Sequence, residues 1–275
     1  MAARRVEIGG QTISFDHGAQ YFTARDPDFR KAVESWQNIG WVAPWPEAGD
    51  DAFVGKPNMN GPIRAMARDL NVHWNTRGER LVQDGDFWRV EADDYIVRAK
   101  QVLIALPAEQ AAILLHGVCP VLSKIADSAR SEPCWAVMAA FMNRLDVGHD
   151  SVQGEGGAIR WAARNSAKPS RSGEETWVIH ASPKRSRQLL DKRREDVAPI
   201  ILEDFFELTG AGRRTPIHLE AHRWLYAMPE AIEGEPARYN RERRIGIAGD
   251  YLHSPRVEGA WLSGVALAEK VLAPV

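Results

Sequence analysis

Covalent and metallic frameworks are the first things this sequence lacks. Its 275 residues include two cysteines, Cys119 and Cys134, which lack metal-site spacing. Two thiols cannot build the disulfide lattice of a small secreted domain, so the chain reads as a protein of a reducing compartment, with both cysteines as small buried residues. Net charge is also scarce: 35 Lys and Arg stand against 37 Asp and Glu, a formal −2. The two signs are interspersed, so neither nucleic acid nor a membrane surface is an expected partner. No apolar run approaches the roughly 18 residues of a membrane helix. The opening stretch from Met1 to Gly10 is charged and then polar, unlike a signal peptide, and the expected location is the cytoplasm. A Gly-x-Ser-x-Gly elbow, a phosphate-binding P-loop, an internal repeat and low-complexity tracts are all missing.

What is present fits a soluble core. The hydrophobic content is 44%, and the length suits one large domain or two interleaved ones. Ten tryptophans call for packing sites or a flat ligand surface, since each buries a large area and wants a partner for its N–H.

The stretch with the most chemistry lies near the C-terminus. Ile245-Gly246-Ile247-Ala248-Gly249-Asp250 is a short apolar run ending at a carboxylate, and reads as a buried parallel strand. The Ala- and Leu-rich segment from Val257 to Leu272 reads as a helix. A strand that ends in an acid and leads into a glycine-spaced helix start can hold a ligand, because the free N–H groups of a first turn carry partial positive charge. Gly259 and Gly264 would let a planar group or another backbone come close, and Asp250 could accept hydrogen bonds from sugar-like hydroxyls. An ordinary strand, loop and closing helix has the same spacing.

Earlier in the chain, Val6 and Ile8 alternate before Gly9-Gly10, and Thr12 to Phe15 follows, a hairpin pattern. Asp16-His17-Gly18-Ala19-Gln20 then places a carboxylate, an imidazole and an amide within five positions; by itself this is also a polar turn with His17 satisfied by Asp16. Asp26-Pro27 starts a helix with Phe29, Val33 and Trp36 facing a core. The Gly-, Pro- and Trp-rich residues 40–62 read as an irregular loop, and Asn60 as the cap of a helix reaching Leu70. Short strands are expected over 72–74, 80–82, 87–92, 95–97 and 102–106, then helices over 108–115 and 121–129. Strands over 133–143, 157–163 and 177–181 follow, with a loop over 167–175. The basic run from Lys184 to Arg194 is balanced by Asp191, Glu195 and Asp196 and reads as a solvated helix face rather than a phosphate site. His218-x-x-x-His222 has chelating spacing for a helix, but Ile217, Leu219 and Ala221 alternate as in a strand, so no metal is expected.

Gly249-Asp250 followed by Val257-Glu258-Gly259-Ala260 and Ser263-Gly264 resembles the C-terminal FAD motif of the flavin amine oxidase superfamily. The segment Phe15-Asp16-His17-Gly18-Ala19-Gln20-Tyr21-Phe22-Thr23-Ala24-Arg25-Asp26-Pro27 narrows the resemblance to bacterial renalase-like FAD-dependent oxidoreductases. So do Leu103 to Pro107, Pro133 to Ala136, Trp177 to Pro183 and His222-Arg223-Trp224, all in family order. Members of that family carry a Gly-x-Gly-x-x-Gly turn near their start. This sequence has none and begins at Met1-Ala2-Ala3-Arg4-Arg5, inside the following segment, so the resemblance implies either a start upstream of Met1 or a shortened paralogue.

The implied fold class is α/β: an N-terminally truncated FAD/NAD(P)-binding Rossmann-like domain interleaved with a mixed-sheet α+β substrate domain. The expected division is residues 1–16, 55–115 and 243–275 for FAD binding and residues 17–54 and 116–242 for the substrate. The implied cofactor is FAD. Arg4 or Arg5 would meet its pyrophosphate, Gly18 and Ala19 would give the ring room, and Gly249 and Asp250 would serve the ribityl chain. Val257, Glu258, Gly259 and Ala260 would form the helix start against the ring. The family's aliphatic contact to adenine is replaced by Thr76-Arg77-Gly78. The catalytic or substrate-orienting candidates are His17, Gln20, Trp224 and Tyr226. The expected partner is a small molecule, a dihydronicotinamide dinucleotide isomer or an amine, that gives hydride to flavin with reoxidation by oxygen. The alternative is a non-catalytic paralogue that binds no flavin.

Overall fold

The computed structural model describes residues 1–93, 95–171 and 173–274, so the expected loop 167–175 and the stretch 243–275 each include one residue outside the described set. In chain order the elements begin with β1 (Arg4–Ile8), β2 (Gln11–Phe15), β3 (Phe22–Thr23), α1 (Pro27–Asn38), β4 (Val42–Pro44), β5 (Ala52–Gly55) and α2 (Gly61–Met66). They continue with β6 (Gly78–Asp84), β7 (Phe87–Ala92), β8 (Tyr95–Ala99), β9 (Val102–Ile104), α3 (Ala108–Leu115) and α4 (Pro120–Ser128). Then come β10 (Ser131–Phe141), β11 (Ser151–Gln153), β12 (Ile159–Arg164), β13 (Glu175–Ala181), α5 (Pro183–Gln188), α6 (Arg194–Thr209), β14 (His218–Pro229), β15 (Ala237–Asn240), β16 (Ile245–Ala248) and α7 (Val257–Leu272).

The chain divides into two compact units, Met1–Asp69 with Glu132–Ala227 and Leu70–Ser131 with Met228–Val275. The boundaries differ from the sequence-based division: residues 1–16 and 55–69 fall in the first unit, and 116–131 and 228–242 in the second. For the opening hairpin the cause is its apolar side. Ile13 and Phe15, with Val6 and Ile8, pack on Met138, Ala140 and Val178 of the first unit's main sheet.

That sheet runs β11-β12-β13-β10-β14. Alternation gives it two different faces. Trp135, Val137, Ala139 and Phe141 of β10, Trp177, Ile179 and Ala181 of β13, and Ala221 of β14 join Val197, Ile201 and Phe205 of α6 in one core. Each of the larger aliphatic and phenyl side chains among them contributes roughly 1.5–3 kcal/mol by leaving water. The side chains one register position away, among them Val178, His180, His222 and Trp224, therefore face the other way. Helix α6 stops at Gly210, whose φ of 67° is the left-handed value that glycine tolerates. Helix α1 starts as its sequence dictates, with the Asp26 carboxylate accepting from the N–H groups of Asp28 (2.9 Å) and Phe29 (3.1 Å).

Three expected elements come out differently. The 40–62 stretch contains β4 and β5, which join β3 in a small sheet around buried Val42 and Val54; glycine and proline punctuation hid two short strands. Helix α2 ends at Met66 rather than Leu70, and 72–74 forms no strand. The sequence spaces Ile63, Met66, Ala67 and Leu70 along one face of the expected helix, yet Ile63, Met66 and Leu70 are 43%, 37% and 66% exposed, and α2 buries Pro62 and Ala65 instead.

The second unit holds a sheet of order β15-β16-β9 and a separate meander β6-β7-β8. Strand β16 is parallel to β9, antiparallel to β15 and buried along its whole length, as the apolar run to Gly249 predicts. Ile245 and Ile247 join Ala111, Leu115 and Leu122 of α3 and α4. On the other face Ala248 packs with Leu267 of α7. Gly246 is what lets α7 approach, since a Cβ there would lie 2.7 Å from Leu267 Cδ1.

Candidate functional site

The first unit gathers His17, His180, His222 and Trp224 on the sheet face opposite α6. The His17 and Trp224 rings stack with centroids 5.3 Å apart, and His222 stands edge-on to both, at 4.9 Å from His17 and 4.3 Å from Trp224. One oxygen organises them: the His17 carbonyl accepts from Trp224 Nε1 at 2.9 Å and from His180 Nε2 at 3.2 Å. Gln20, also buried, donates through Nε2 to the Val178 carbonyl at 3.2 Å. Among the described residues His17 Nδ1 and Gln20 Oε1 are buried without a hydrogen-bond partner. Unpaired buried polar atoms are rare and costly, so two of them in one five-residue loop point to a group that pairs with them. Tyr226, at the open end of the β14 row, is 36% exposed.

The carboxylate before His17 is held from three directions. Asp16 is fully buried; Oδ1 accepts from Met59 N at 2.9 Å and Oδ2 from Arg171 Nη2 at 2.6 Å, with Lys168 Nζ at 3.5 Å. Its own N–H donates to Asn165 Oδ1 at 3.2 Å, and Asn165 Nδ2 returns a bond to the Ser14 carbonyl at 2.8 Å. The simple polar turn in which Asp16 satisfies His17 is therefore not what forms: Asp16 turns to Lys168 and Arg171. Both cations lie in a stretch whose composition reads as a loop, and their partner is 152 and 155 residues away, so no local signal marks them.

In the second unit, β16 delivers Gly249 and Asp250 to the start of α7. Ser263 Oγ accepts from Gly249 N at 2.8 Å and donates to the Pro236 carbonyl at 2.5 Å, which ties the strand end to the helix. The N-cap residue of α7, Arg256, makes no side-chain cap bond, and burial pushes the half-buried Asp250 carboxyl above its ordinary range. Val257, Glu258, Gly259 and Ala260 make up that first turn. A Cβ on Gly259 would lie 2.9 Å from Ser254 N and closer still to the Ser254 carbonyl, so of the two close approaches expected of this glycine, a planar group or another backbone, the structure shows the backbone. Gly18 behaves likewise: its Cβ direction meets Ala2 N at 2.8 Å. Ala19 lies half-buried beside it.

Arg4 and Arg5 alternate on β1 and leave on opposite sides. Arg4 forms an ion pair with Glu220 and approaches His222 Nδ1 at 3.2 Å; Arg5 is exposed. Arg4 is thus committed within its own unit rather than free for a pyrophosphate. The predicted residues fall into two groups, Arg4 to Gln20 with Trp224 and Tyr226 in the first unit, and Gly249 to Ala260 in the second.

Burial, then the charges of His222 and Arg4, lowers the His17 pKa to about 4; burial is also the main cause of the His180 value of about 4. His218 and His222 shift down by burial and by Arg4. All four are neutral at pH 7. A folded pKa below the unfolded value means the unfolded chain binds more protons between about pH 4 and 6.5. Stability is therefore complete above about 6.5 and lost as pH falls through that window. Thermal melts should show Tm dropping from pH 7 to pH 4.5, and a His222→Asn variant should flatten the drop; a flat wild-type profile would contradict neutral buried imidazoles.

In the basic run at 184–194 Arg193 pairs with Asp196, one of the acids expected to balance it, whereas Arg185 and Arg187 pair with the more distant Asp204 and Glu132. Among the described residues no group of three or more His, Cys, Asp or Glu side chains could hold a metal, and no helix is long and apolar enough to cross a membrane.

Comparison with known proteins places this geometry. The sequence profile of the flavin containing amine oxidoreductases matches residues 41–272. Among solved structures, a protein assigned as a protoporphyrinogen oxidase from Exiguobacterium sp. 255-15 aligns with a TM-score of 0.63 and 15% identity over 80% of this chain and 52% of that one. An oxidoreductase from Methanosarcina mazei gives 0.61 and 15% over 88% and 58%. The cyclohexylamine oxidase of Brevibacterium oxydans IH-35A gives 0.58 and 12% over 80% and 54%. At such identities the likeness is one of fold, and this chain spans somewhat over half the length of each of these structures.

Proposed function

Because the chain belongs to the flavin containing amine oxidoreductase family, we propose that it works as an FAD-dependent oxidoreductase of renalase-like type, taking hydride from a reduced small molecule. The observation that carries this reading is the unit of β16, Asp250 and the N-terminus of α7. Those groups suit the ribityl and ring portion of the cofactor: a desolvated carboxylate accepts from hydroxyls, and an open helix N-terminus favours negative charge, worth about 1 kcal/mol when exposed. When bound, the flavin supplies the hydride acceptor, with oxygen to reoxidise it. The remaining work falls to placement and electrostatics by the chain's own residues.

The His17 face is the reading's substrate side. Asp16 is neutralised by Lys168 and Arg171 and Glu220 by Arg4, while His17 and His222 are uncharged at pH 7. An ammonium group would find no unpaired carboxylate in this cluster, whereas the half-buried Trp224 indole, backed by the His17 ring, offers a planar donor an aromatic partner. His17 Nδ1 and Gln20 Oε1 could then pair with an amide substituent. These features favour a dihydronicotinamide-type donor over an amine.

Purified protein incubated with FAD should retain a band near ~450 nm, the absorbance of oxidised flavin. Asp250→Ala should weaken retention roughly 10- to 100-fold, the worth of about 1.5–3 kcal/mol for a hydrogen bond to a charged group. Under anaerobic conditions a dihydronicotinamide should bleach the band faster than a primary amine. Faster bleaching by the amine would overturn the substrate assignment, and colourless protein would favour the non-catalytic alternative.

A further inference from the structure

Lys168 is a fully buried lysine whose burial brings no evident gain. Its ammonium has three donors, yet the carboxylate it approaches, Asp16, is 3.5 Å away and already held by Arg171 at 2.6 Å. Arg171 alone would neutralise Asp16, and it also fixes its own segment by donating to the carbonyls of Gly55 (2.7 Å) and Pro169 (2.6 Å). A second desolvated cation is a net cost to folding unless something else uses it. Around Lys168 stand Asp16 at the end of β2, Arg171 on its own segment, His180 on β13 and, with Nζ 5.4 Å from the ring centroid, Trp45. The His180 side chain bonds the same His17 carbonyl that receives Trp224. Lys168 thus reaches the carboxylate of the residue just before His17, whose own carbonyl His180 and Trp224 hold.

We propose that Lys168 is a positioning residue, which acts through Asp16 to hold the His17 peptide so that His17, His222 and Trp224 present one fixed face. The role rests on reading that face as the substrate side, but its physical content is testable without any ligand. Burial, together with Arg171, lowers the Lys168 pKa to about 8, against the pull of Asp16. With its folded pKa below its unfolded one, this lysine costs stability at pH 7, and the cost disappears as pH rises from about 8 towards 10.5. Its charge also opposes protonation of His180.

The test compares the full chain with Lys168→Met, without added ligand. Melting at pH 7 and pH 10.5 is read alongside NMR of the His17 and His180 imidazoles and the Trp224 indole N–H. Expected are a Tm at pH 7 equal to or above wild type, a His180 titration moved to higher pH, and displaced His17 and Trp224 signals. A residue kept only for structure would lower Tm and leave those signals in place. Unmoved signals, at any Tm, overturn the proposal. Should Lys168→Met fail to fold, Lys168→Gln, which keeps a donor for Asp16 but removes the charge, is read the same way. Protein that shows the signal shifts but stays colourless with FAD would sink the proposed function and leave this inference standing.

Discussion

Replacing Arg164 with methionine is expected to lower the stability of the first unit by about 3–5 kcal/mol, the usual cost of removing one partner from a buried ion pair. Arg164 is 1% exposed, and its guanidinium is engaged on every side. Nε donates to Glu175 Oε1 at 3.0 Å, Nη1 pairs with Asp150, and Nη2 donates to the carbonyls of Leu145 (3.2 Å) and Val147 (3.0 Å). Its flat face lies 4.8 Å from the Trp177 ring centroid. Methionine restores volume but leaves Glu175 a buried carboxylate supported by Leu145 N and Trp177 Nε1 alone. Urea unfolding should show the loss as a lower midpoint with an unchanged slope. Adding Glu175→Gln should recover part of it, since the charge left behind carries much of the cost. A loss under about 1 kcal/mol would mean that water reaches this cluster and that the pair is no stronger than a surface one.

The second large effect is expected at Gly259. Alanine there would press a methyl group into the backbone of Ser254, which cannot rotate away as a side chain could. Overpacking of this kind costs about 1–3 kcal/mol, and the strain falls on the first turn of α7. If that turn helps hold the cofactor, FAD affinity should fall roughly 10- to 100-fold. Gly264 is the internal control, because a Cβ at that position meets nothing within 4 Å. Gly264→Ala should stabilise α7 by up to about 1 kcal/mol through helix propensity and leave FAD affinity unchanged. Equal effects of the two substitutions on FAD would remove the first turn of α7 from the binding site.

Much of the second unit could be read directly from the sequence. An apolar run with two glycines and a terminal acid has few ways to fold, and β16, Asp250 and α7 stand where the sequence places them. The face of β14 was legible for a similar reason: period-two alternation settles that His218, Glu220, His222 and Trp224 share a side whatever packs on it. One local reading failed where a partner surface was needed. Ile63, Met66 and Leu70 have the spacing of a helix's buried face, but they are exposed, α2 ends at Met66, and Leu70 belongs to the other unit. The glycine at 259 announces a close approach without saying of what, and of the two candidates the sequence leaves open it is a neighbouring backbone, that of Ser254, that comes close.

By itself, the sequence determined the helix starts at Asp26 and Val257 and the alternating strands, because caps and periodicity act over a few residues, while the α/β class came from the ordered resemblance to a family. Tertiary structure alone decided that Asp16 is held by Lys168 and Arg171, that Arg4 is committed to Glu220, and that one carbonyl gathers His180 and Trp224. Ion pairs and hydrogen bonds between residues more than 150 positions apart leave no spacing to read; they exist only once the sheet has brought its strands together.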